Sequence, residues 1–177
     1  MSLWLASLQN SRISRKYLLP LPLSRRLNPE PPKSLTYPVI AIDTNVLLRY
    51  LLGPVDQHNP HWQAIAAKQV VENANEVFIS DIVLAELEWV FESVFELKRI
   101  EFAGLFQDLA SNVHFRFNDW AALNCALMDY RDKPNIDLSD CLIARRAHSR
   151  GASTLYTFEG EKKLGAMSHV TSLRPPN

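Results

Sequence analysis

The chain has 177 residues, of which 47% are hydrophobic and 21% are charged, so its length fits one globular domain with an additional tail. Its two cysteines, Cys125 and Cys141, form neither a CxxC zinc pattern nor a disulfide framework, which favours a reducing, cytoplasmic setting. No apolar run reaches the roughly 18 residues that a membrane-spanning helix requires, so we expect no membrane segment.

The formal net charge of zero hides an uneven distribution of charge along the chain. Residues 1–36 contain six basic residues and one acidic residue, a net charge of +5, so the remainder carries −5. An acidic globular part lacks the basic patch that is typical of a general nucleic-acid binder. A metal site is one explanation for the excess of acids.

The first 38 residues differ from the rest of the chain. They contain six of the eleven prolines and show no clear periodicity, which predicts a disordered leader. Because this segment is rich in arginine and serine and has one acid, an organellar transit peptide is the alternative.

From Val39 onwards, strand and helix patterns alternate. The apolar run 39–42 predicts a buried strand that ends at Asp43, and Thr44–Leu52 predicts a helix that Gly53-Pro54 terminates. Further strands are predicted over 76–79, 113–117, 153–157 and 169–172. Further helices are predicted over about 60–74, 81–95, 98–111, 119–131, 137–150 and 160–166. This alternation indicates an α/β fold, a parallel five-stranded sheet with helices on both faces, and the site belongs at the carboxyl ends of its strands.

The helix boundaries carry recognisable capping residues. Asn59 followed by Pro60 predicts the start of one helix, and either Ser80 or Asp81 predicts the start of the next. Asp137 is expected to cap the helix that ends at Gly151, where a left-handed C-cap is predicted.

Asp43 and Glu86 are the first two candidate site residues. Asp43 follows directly on the first strand and therefore belongs at the carboxyl edge of the sheet. Glu86 lies in a helix that is apolar on nearly all sides, where a buried carboxylate requires a cation or a hydrogen-bonding partner. Periodicity alone leaves a second interpretation equally open, in which Glu86 lies at the helix margin in contact with solvent.

Asp140 and Glu159 are predicted to reach the same edge of the sheet. Asp140 is the third residue of its helix, near the positive helix end, whereas Asp137 is accounted for as a helix cap. Glu159 follows the fourth strand. Carboxylates that converge in this way repel each other, and a divalent cation such as Mg²⁺ removes the conflict. Such an ion activates water for phosphodiester hydrolysis, which indicates a phosphodiesterase or a phosphatase.

Four segments in order resemble the motifs of the PIN-domain family. They are Ile42-Asp43-Thr44-Asn45, Leu84-Ala85-Glu86-Leu87-Glu88-Trp89-Val90, Asp137-Leu138-Ser139-Asp140 and Thr157-Phe158-Glu159 followed by Lys162 and Lys163. The resemblance covers residues 39–173, which leaves 174–177 as a tail. Within the family, the chain looks most like the VapC toxins of toxin–antitoxin pairs.

The resemblance implies an endoribonuclease that depends on Mg²⁺ or Mn²⁺ and acts on single-stranded RNA. It implies that Asp43, Glu86 and Asp140 bind the metal, that Thr44 or Asn45 supports Asp43, and that Thr157 positions a carboxylate or water. A small VapB-type antitoxin and a homodimer are the implied partners. Two alternatives stay open: a catalytically weak or inactive PIN-like module that only binds a partner, and an RNA-processing nuclease without an antitoxin.

Two features depart from the family pattern. The fourth acidic position is usually Asp and here is Glu159, which leaves the number of metal ions open. Family members also begin a few residues before the first Asp, so we expect translation to start at Val39 and residues 1–38 to be an artefact of a misplaced start. An intact mass of the natively expressed protein that includes residue 2 would refute this expectation.

The remaining aromatic and basic residues receive simpler interpretations. Trp62, Trp89 and Trp120 are expected in the core, and Arg145 and Arg146 on a solvated helix face, with RNA or antitoxin contacts as the alternative. The helix and turn over 81–97 are expected to offer Trp89, Phe91 and Phe95 to a partner or a second subunit.

Overall fold

The computed structural model describes residues 39–53, 61–160 and 162–174. The predicted leader, the predicted cap at Asn59-Pro60 and most of the predicted tail lie outside these ranges. The chain forms two compact units, one up to Asn118 and one from Asp119 onwards. Within the described ranges, no helix is long and apolar enough to span a membrane.

A parallel sheet of three strands organises the first unit. The strands are β1 (Val39–Ala41), β2 (Glu76–Ile79) and β3 (Phe115–Phe117), in the order β1-β2-β3. Val77 of β2 lies opposite both Ile40 of β1 and Phe115 of β3, so β2 is the central strand. The predicted parallel pairing is therefore confirmed for these strands.

Four helices accompany this sheet in the described part of the first unit: α1 (Thr44–Leu52), α2 (His61–Asn73), α3 (Asp81–Ser93) and α4 (Arg99–Ser111). The bounds of α1 agree with the prediction because a cap at Asp43 and a left-handed Gly53, with φ of 67°, fix its two ends. Ser80, rather than Asp81, caps α3, since its hydroxyl accepts a hydrogen bond from the Val83 N–H.

Aromatic side chains fill the core where α3 and α4 meet. Phe91, Phe102 and Phe106 are almost completely buried, and the rings of Phe102 and Phe106 stack with their centroids 4.3 Å apart. These contacts fix α3 through its inner face and leave its opposite face to carry Glu86.

Two burial expectations are wrong. Val39 is 46% exposed and Ala41 is also exposed, so β1 is not a strand buried on both faces. Trp62, Trp89 and Trp120 are 69%, 63% and 43% exposed instead of lying in the core. Hydrophobicity alone indicated burial for the three tryptophans, but each of them lies on the solvent-exposed face of its helix.

The second unit contains two helices followed by two short parallel strands. The elements are α5 (Trp120–Asp132), α6 (Leu138–Ser149), β4 (Leu155–Thr157), the 3₁₀ helix η1 (Leu164–Ala166) and β5 (Val170–Ser172). The strands β4 and β5 pair with each other, so the described strands form one sheet of three and one of two. A single five-stranded sheet is therefore not confirmed, since periodicity identifies strands but does not specify their pairing.

A buried carboxylate joins α5 to α6. The Asp129 side chain is 6% exposed and accepts hydrogen bonds from Arg145 Nε at 2.5 Å and from the Lys133 ammonium group. Arg146 donates to the Asp119 carbonyl at 2.7 Å. The expectation that Arg145 and Arg146 lie on a solvated face is therefore wrong, because both guanidinium groups are bound within the unit.

Asp129→Asn is expected to destabilise the protein by about 3 kcal/mol at pH 7, because it leaves Arg145 next to a neutral group in a buried setting. Burial raises the pKa of Asp129, but the hydrogen bonds and charges of Arg145 and Lys133 outweigh it and lower the pKa below its usual 3.8. The contribution of Asp129 is therefore present above about pH 4 and is lost as the pH falls through the lowered pKa.

Thermal unfolding at pH 7 and at pH 3 measures this effect. The difference between wild type and Asp129→Asn should be large at pH 7 and smaller at pH 3. Asp132→Asn is the matched control, because Asp132 pairs with Arg131 on the exposed surface of the same helix. Equal unfolding temperatures for the two variants at pH 7 would contradict the structural role of Asp129.

Candidate metal centre

Asp43 stands where β1 leads into α1. Its backbone is extended, and its Oδ1 accepts a hydrogen bond from the Val46 N–H at 2.8 Å, which caps α1. Because the cap requires one oxygen only, the exposed carboxylate can offer its other oxygen to a cation. The cap also orders the side chain before any ligand binds.

Glu86 lies on the exposed face of α3 together with Ile82 and Trp89. This arrangement answers the question that periodicity left open, since Glu86 is in contact with solvent and not enclosed by apolar side chains. It is nevertheless ordered, because the Thr44 hydroxyl donates a hydrogen bond to Glu86 Oε2. Thr44 directly follows Asp43, so this bond brings the Glu86 carboxylate to the start of α1.

Thr44 and Asn45 therefore have different partners. Whereas Thr44 binds Glu86, Asn45 Oδ1 accepts a hydrogen bond from Arg49 at 3.0 Å, one turn along the same helix. Arg49 also donates to Gln63 of α2 at 2.5 Å. Asn45 thus takes part in joining α1 to α2, and Thr44 is the residue that orients an acidic side chain.

Asp140 is the third residue from the N-cap of α6 and is half-buried. Burial raises its pKa, and the negative charges of Glu159 and Asp137 raise it further, while Lys163 acts in the opposite direction. Asp137 is the N-cap residue, but its side chain makes no capping hydrogen bond, in contrast to the expected cap. Its charge contributes instead to the negative potential around Asp140.

Glu159 lies two residues after β4, and both its backbone N–H and its carboxylate make hydrogen bonds. Its N–H donates to Thr157 Oγ1 at 3.1 Å, so Thr157 positions the backbone of this acid. The Glu159 carboxylate accepts from the Leu164 N–H at 3.5 Å and pairs with Lys163 Nζ at 3.4 Å. The structure thus places Asp140, Asp137 and Glu159 in one electrostatic environment within the second unit.

The chemistry of these donors fits a hard divalent cation. Carboxylate oxygens are the ligands that Mg²⁺ prefers, and the repulsion that raises the pKa of Asp140 falls when a cation binds. Among the described residues, no three His, Cys, Asp or Glu side chains form a ready-made metal cluster. Mg²⁺ does not require one, because it is typically held by one or two carboxylates together with water and substrate phosphate.

A family model for the PIN domain matches residues 40–163, about two thirds of the chain. The chain belongs to the PIN-domain family. The matched range includes Asp43, Glu86, Asp140 and Glu159, and a nuclease-type function follows from membership of this family. The comparison with curated proteins found no significant match.

Two contacts of this PIN domain were absent from the sequence analysis. The bond between Thr44 and Glu86 joins residues 42 positions apart, and nothing in the local sequence indicates such a contact. The pairing of Glu159 with Lys163 has a local signal in the spacing of four residues between opposite charges, although these residues lie outside a regular helix.

Thr44→Val is expected to weaken Mn²⁺ binding about tenfold without unfolding the protein, because it removes the hydroxyl that orients Glu86 and keeps the side-chain shape. Isothermal titration calorimetry with Mn²⁺ measures the affinity. Thr171→Val, which makes the same chemical change on the exposed strand β5, is the matched control. An affinity of Thr44→Val equal to that of the control would show that the Thr44 contact does not prepare a metal ligand.

Proposed function

We propose that this PIN-domain protein is a Mg²⁺-dependent endoribonuclease that hydrolyses RNA phosphodiesters and acts as the toxin of a toxin–antitoxin pair. The observation that carries the proposal is the ordering of Glu86 by Thr44, next to Asp43, inside the region that matches the PIN domain. Because Thr44 directly follows Asp43 in the chain, this bond brings two candidate metal ligands together.

In this proposal, Asp43, Glu86 and Asp140 are the metal ligands. A divalent ion held there would supply Lewis-acid chemistry, lowering the pKa of a water and offsetting negative charge at the scissile phosphate. The contacts of the chain itself hold the proposed ligands in position. Asp43 is fixed as the cap of α1, Thr44 fixes Glu86, and Asp140 lies in the first turn of α6. Each ligand is therefore attached to a regular element, which gives the precision that catalysis requires.

RNA is the proposed substrate because of the motifs shared with the VapC group of the family. The four motifs of residues 42–48, 84–90, 137–144 and 157–163 occur in the order that resembles this group, with Glu159 in place of the usual Asp in the fourth. The globular part carries a net charge of −5, so its affinity for RNA must come from a few local contacts and the metal ion rather than from a broad basic surface.

An exposed apolar surface on α3 supports the proposed protein partners. Ile82 and Trp89 are 72% and 63% exposed, and Val94, the C-cap residue of this helix, is 64% exposed. Phe91, which the sequence analysis assigned to this surface, is completely buried and belongs to the core. A second copy of the chain and a small antitoxin are the proposed partners, and the cytoplasm is the proposed location.

Asp43→Asn is expected to abolish Mg²⁺-dependent cleavage of single-stranded RNA and to leave the fold intact. Asn caps a helix as well as Asp does, so the substitution removes the charge and keeps the start of α1. Asp119→Asn is the matched control, since Asp119 caps α5 through the Ala122 N–H at 3.0 Å and should retain cleavage after the same change. Cleavage of a labelled RNA, with and without EDTA, measures the activity.

Cleavage by Asp43→Asn at the rate of wild type would refute the proposal. A protein that neither cleaves RNA nor binds Mn²⁺ in calorimetry would favour the partner-binding module. The toxin role has its own test. Induced expression should arrest growth with wild type and not with Asp43→Asn, and arrest by both forms would contradict a toxin that acts through its nuclease site.

A further inference from the structure

Lys163 is held in place through its backbone as well as its side chain. Its N–H donates to the Gly160 carbonyl at 3.0 Å, and its own carbonyl accepts from the Ala166 N–H at 2.8 Å. Its Nζ lies 3.4 Å from Glu159 Oε1. The backbone of Lys163 is therefore fixed, and its ammonium group pairs with Glu159.

The segment that carries Lys163 is itself anchored. The Glu159 carbonyl accepts a hydrogen bond from Ser172 Oγ at 2.5 Å, which joins the segment to β5. Gly165 permits this approach, because a Cβ at that position would lie 2.9 Å from the Gly160 carbonyl oxygen and would also collide with Ser172. Glu159, Gly160 and Gly165 thus pack closely against one another and against β5, which fixes the backbone next to Lys163.

Lys163 belongs to the same electrostatic environment as Asp140. Three carboxylates contribute negative charge there, those of Asp137, Asp140 and Glu159, and the positive charge of Lys163 offsets part of it. The Lys163 side chain is 61% exposed, so an anion can reach it. An exposed ion pair of this kind contributes little to stability, so a substitution of Lys163 is expected to leave the fold intact.

We propose that Lys163 is a phosphate-binding residue of the nuclease site and that its ammonium group takes the place of a second metal ion. This inference rests on the proposed function. Two-metal sites clamp a phosphodiester between two cations, and a lysine provides the second positive charge as a point charge with hydrogen-bond donors. Glu159 is then a positioning residue that holds Lys163, in contrast to its expected role as a member of the catalytic acids.

A positioning role for Glu159 gives a reason for the exchange of the usual Asp for Glu at this position. The longer side chain pairs with the lysine four residues ahead and also accepts from the Leu164 N–H. The arrangement is compatible with single-stranded RNA, the substrate that the family resemblance implies. One lysine and one divalent ion can bind a single phosphodiester group of an extended strand, and this requires no duplex.

The test measures the affinity for a labelled, 12-nucleotide single-stranded RNA in EDTA, where no cleavage occurs. Lys163→Met should weaken binding about tenfold and reduce the salt dependence by roughly one phosphate contact. Lys162→Met, which removes the same charge from the adjacent exposed residue, should change neither quantity. Equal effects of the two substitutions would overturn the proposal, since they would indicate a general electrostatic attraction.

Glu159→Gln tests the positioning role through the sign of its effect. Removing a negative charge should strengthen RNA binding if Glu159 acts only by repulsion, whereas loss of a positioning contact should weaken it. We expect weaker binding in EDTA and an unchanged unfolding temperature. Stronger binding would overturn the role of Glu159 as the residue that holds Lys163.

Calorimetry with Mn²⁺ and an assay of RNA cleavage separate this inference from the proposed function. Wild type should bind one Mn²⁺ per chain and cleave RNA. Binding of two Mn²⁺ ions per wild-type chain would overturn the proposal that Lys163 takes the place of a second metal ion. If wild type cleaves RNA, and Lys163→Met binds the labelled RNA in EDTA as Lys162→Met does, only the inference fails. If wild type neither binds Mn²⁺ nor cleaves RNA, the proposed function fails and the inference with it.

Discussion

The unfavourable setting of the half-buried Asp140, close enough to Glu159 and Asp137 to be affected by their charges, is the constraint on which the candidate site depends. Asp140 is half-buried in the first turn of α6, and the charges of Glu159 and Asp137 oppose its ionisation. A folded chain tolerates this arrangement when cations offset the charge. Lys163 supplies one positive charge, and a divalent ion is suited to supply the rest. Asp43 and Glu86, in contrast, are ordered by hydrogen bonds of the chain itself, from Val46 and Thr44.

Much of the secondary structure could be predicted because its signals are local. The bounds of α1 and β2 agree with the sequence analysis, since a capping aspartate, a left-handed glycine and a short apolar run fix them. Pairing and burial could not be predicted equally well. An apolar run such as 39–42 does not reveal that its strand lies at the edge of a sheet, and the hydrophobicity of Trp89 does not reveal that its helix face packs outwards.

The acids of the candidate site could be named from their motifs, whereas the contacts that order them could not. Thr44 and Glu86 lie 42 positions apart, and Asp129 and Arg145 lie 16 apart, so only the folded chain brings them together. Glu159 remains a candidate catalytic acid because of its motif, and the structure adds its pairing with Lys163. The exchange of Asp for Glu was visible in the sequence, but the contacts of Glu159 with Lys163 and with the Leu164 N–H were not.

The central proposal is that Asp43 and Glu86, which the hydrogen bond from Thr44 brings to the start of α1, bind the same divalent ion. A double-mutant cycle of Mn²⁺ binding, measured by calorimetry on wild type, Asp43→Asn, Glu86→Gln and the double variant, tests it most directly. If both acids hold one ion, each single substitution should weaken the same binding event strongly, and the double variant should be little worse than either, because their effects are coupled. Two separate binding events, each abolished by only one of the substitutions, would contradict the account.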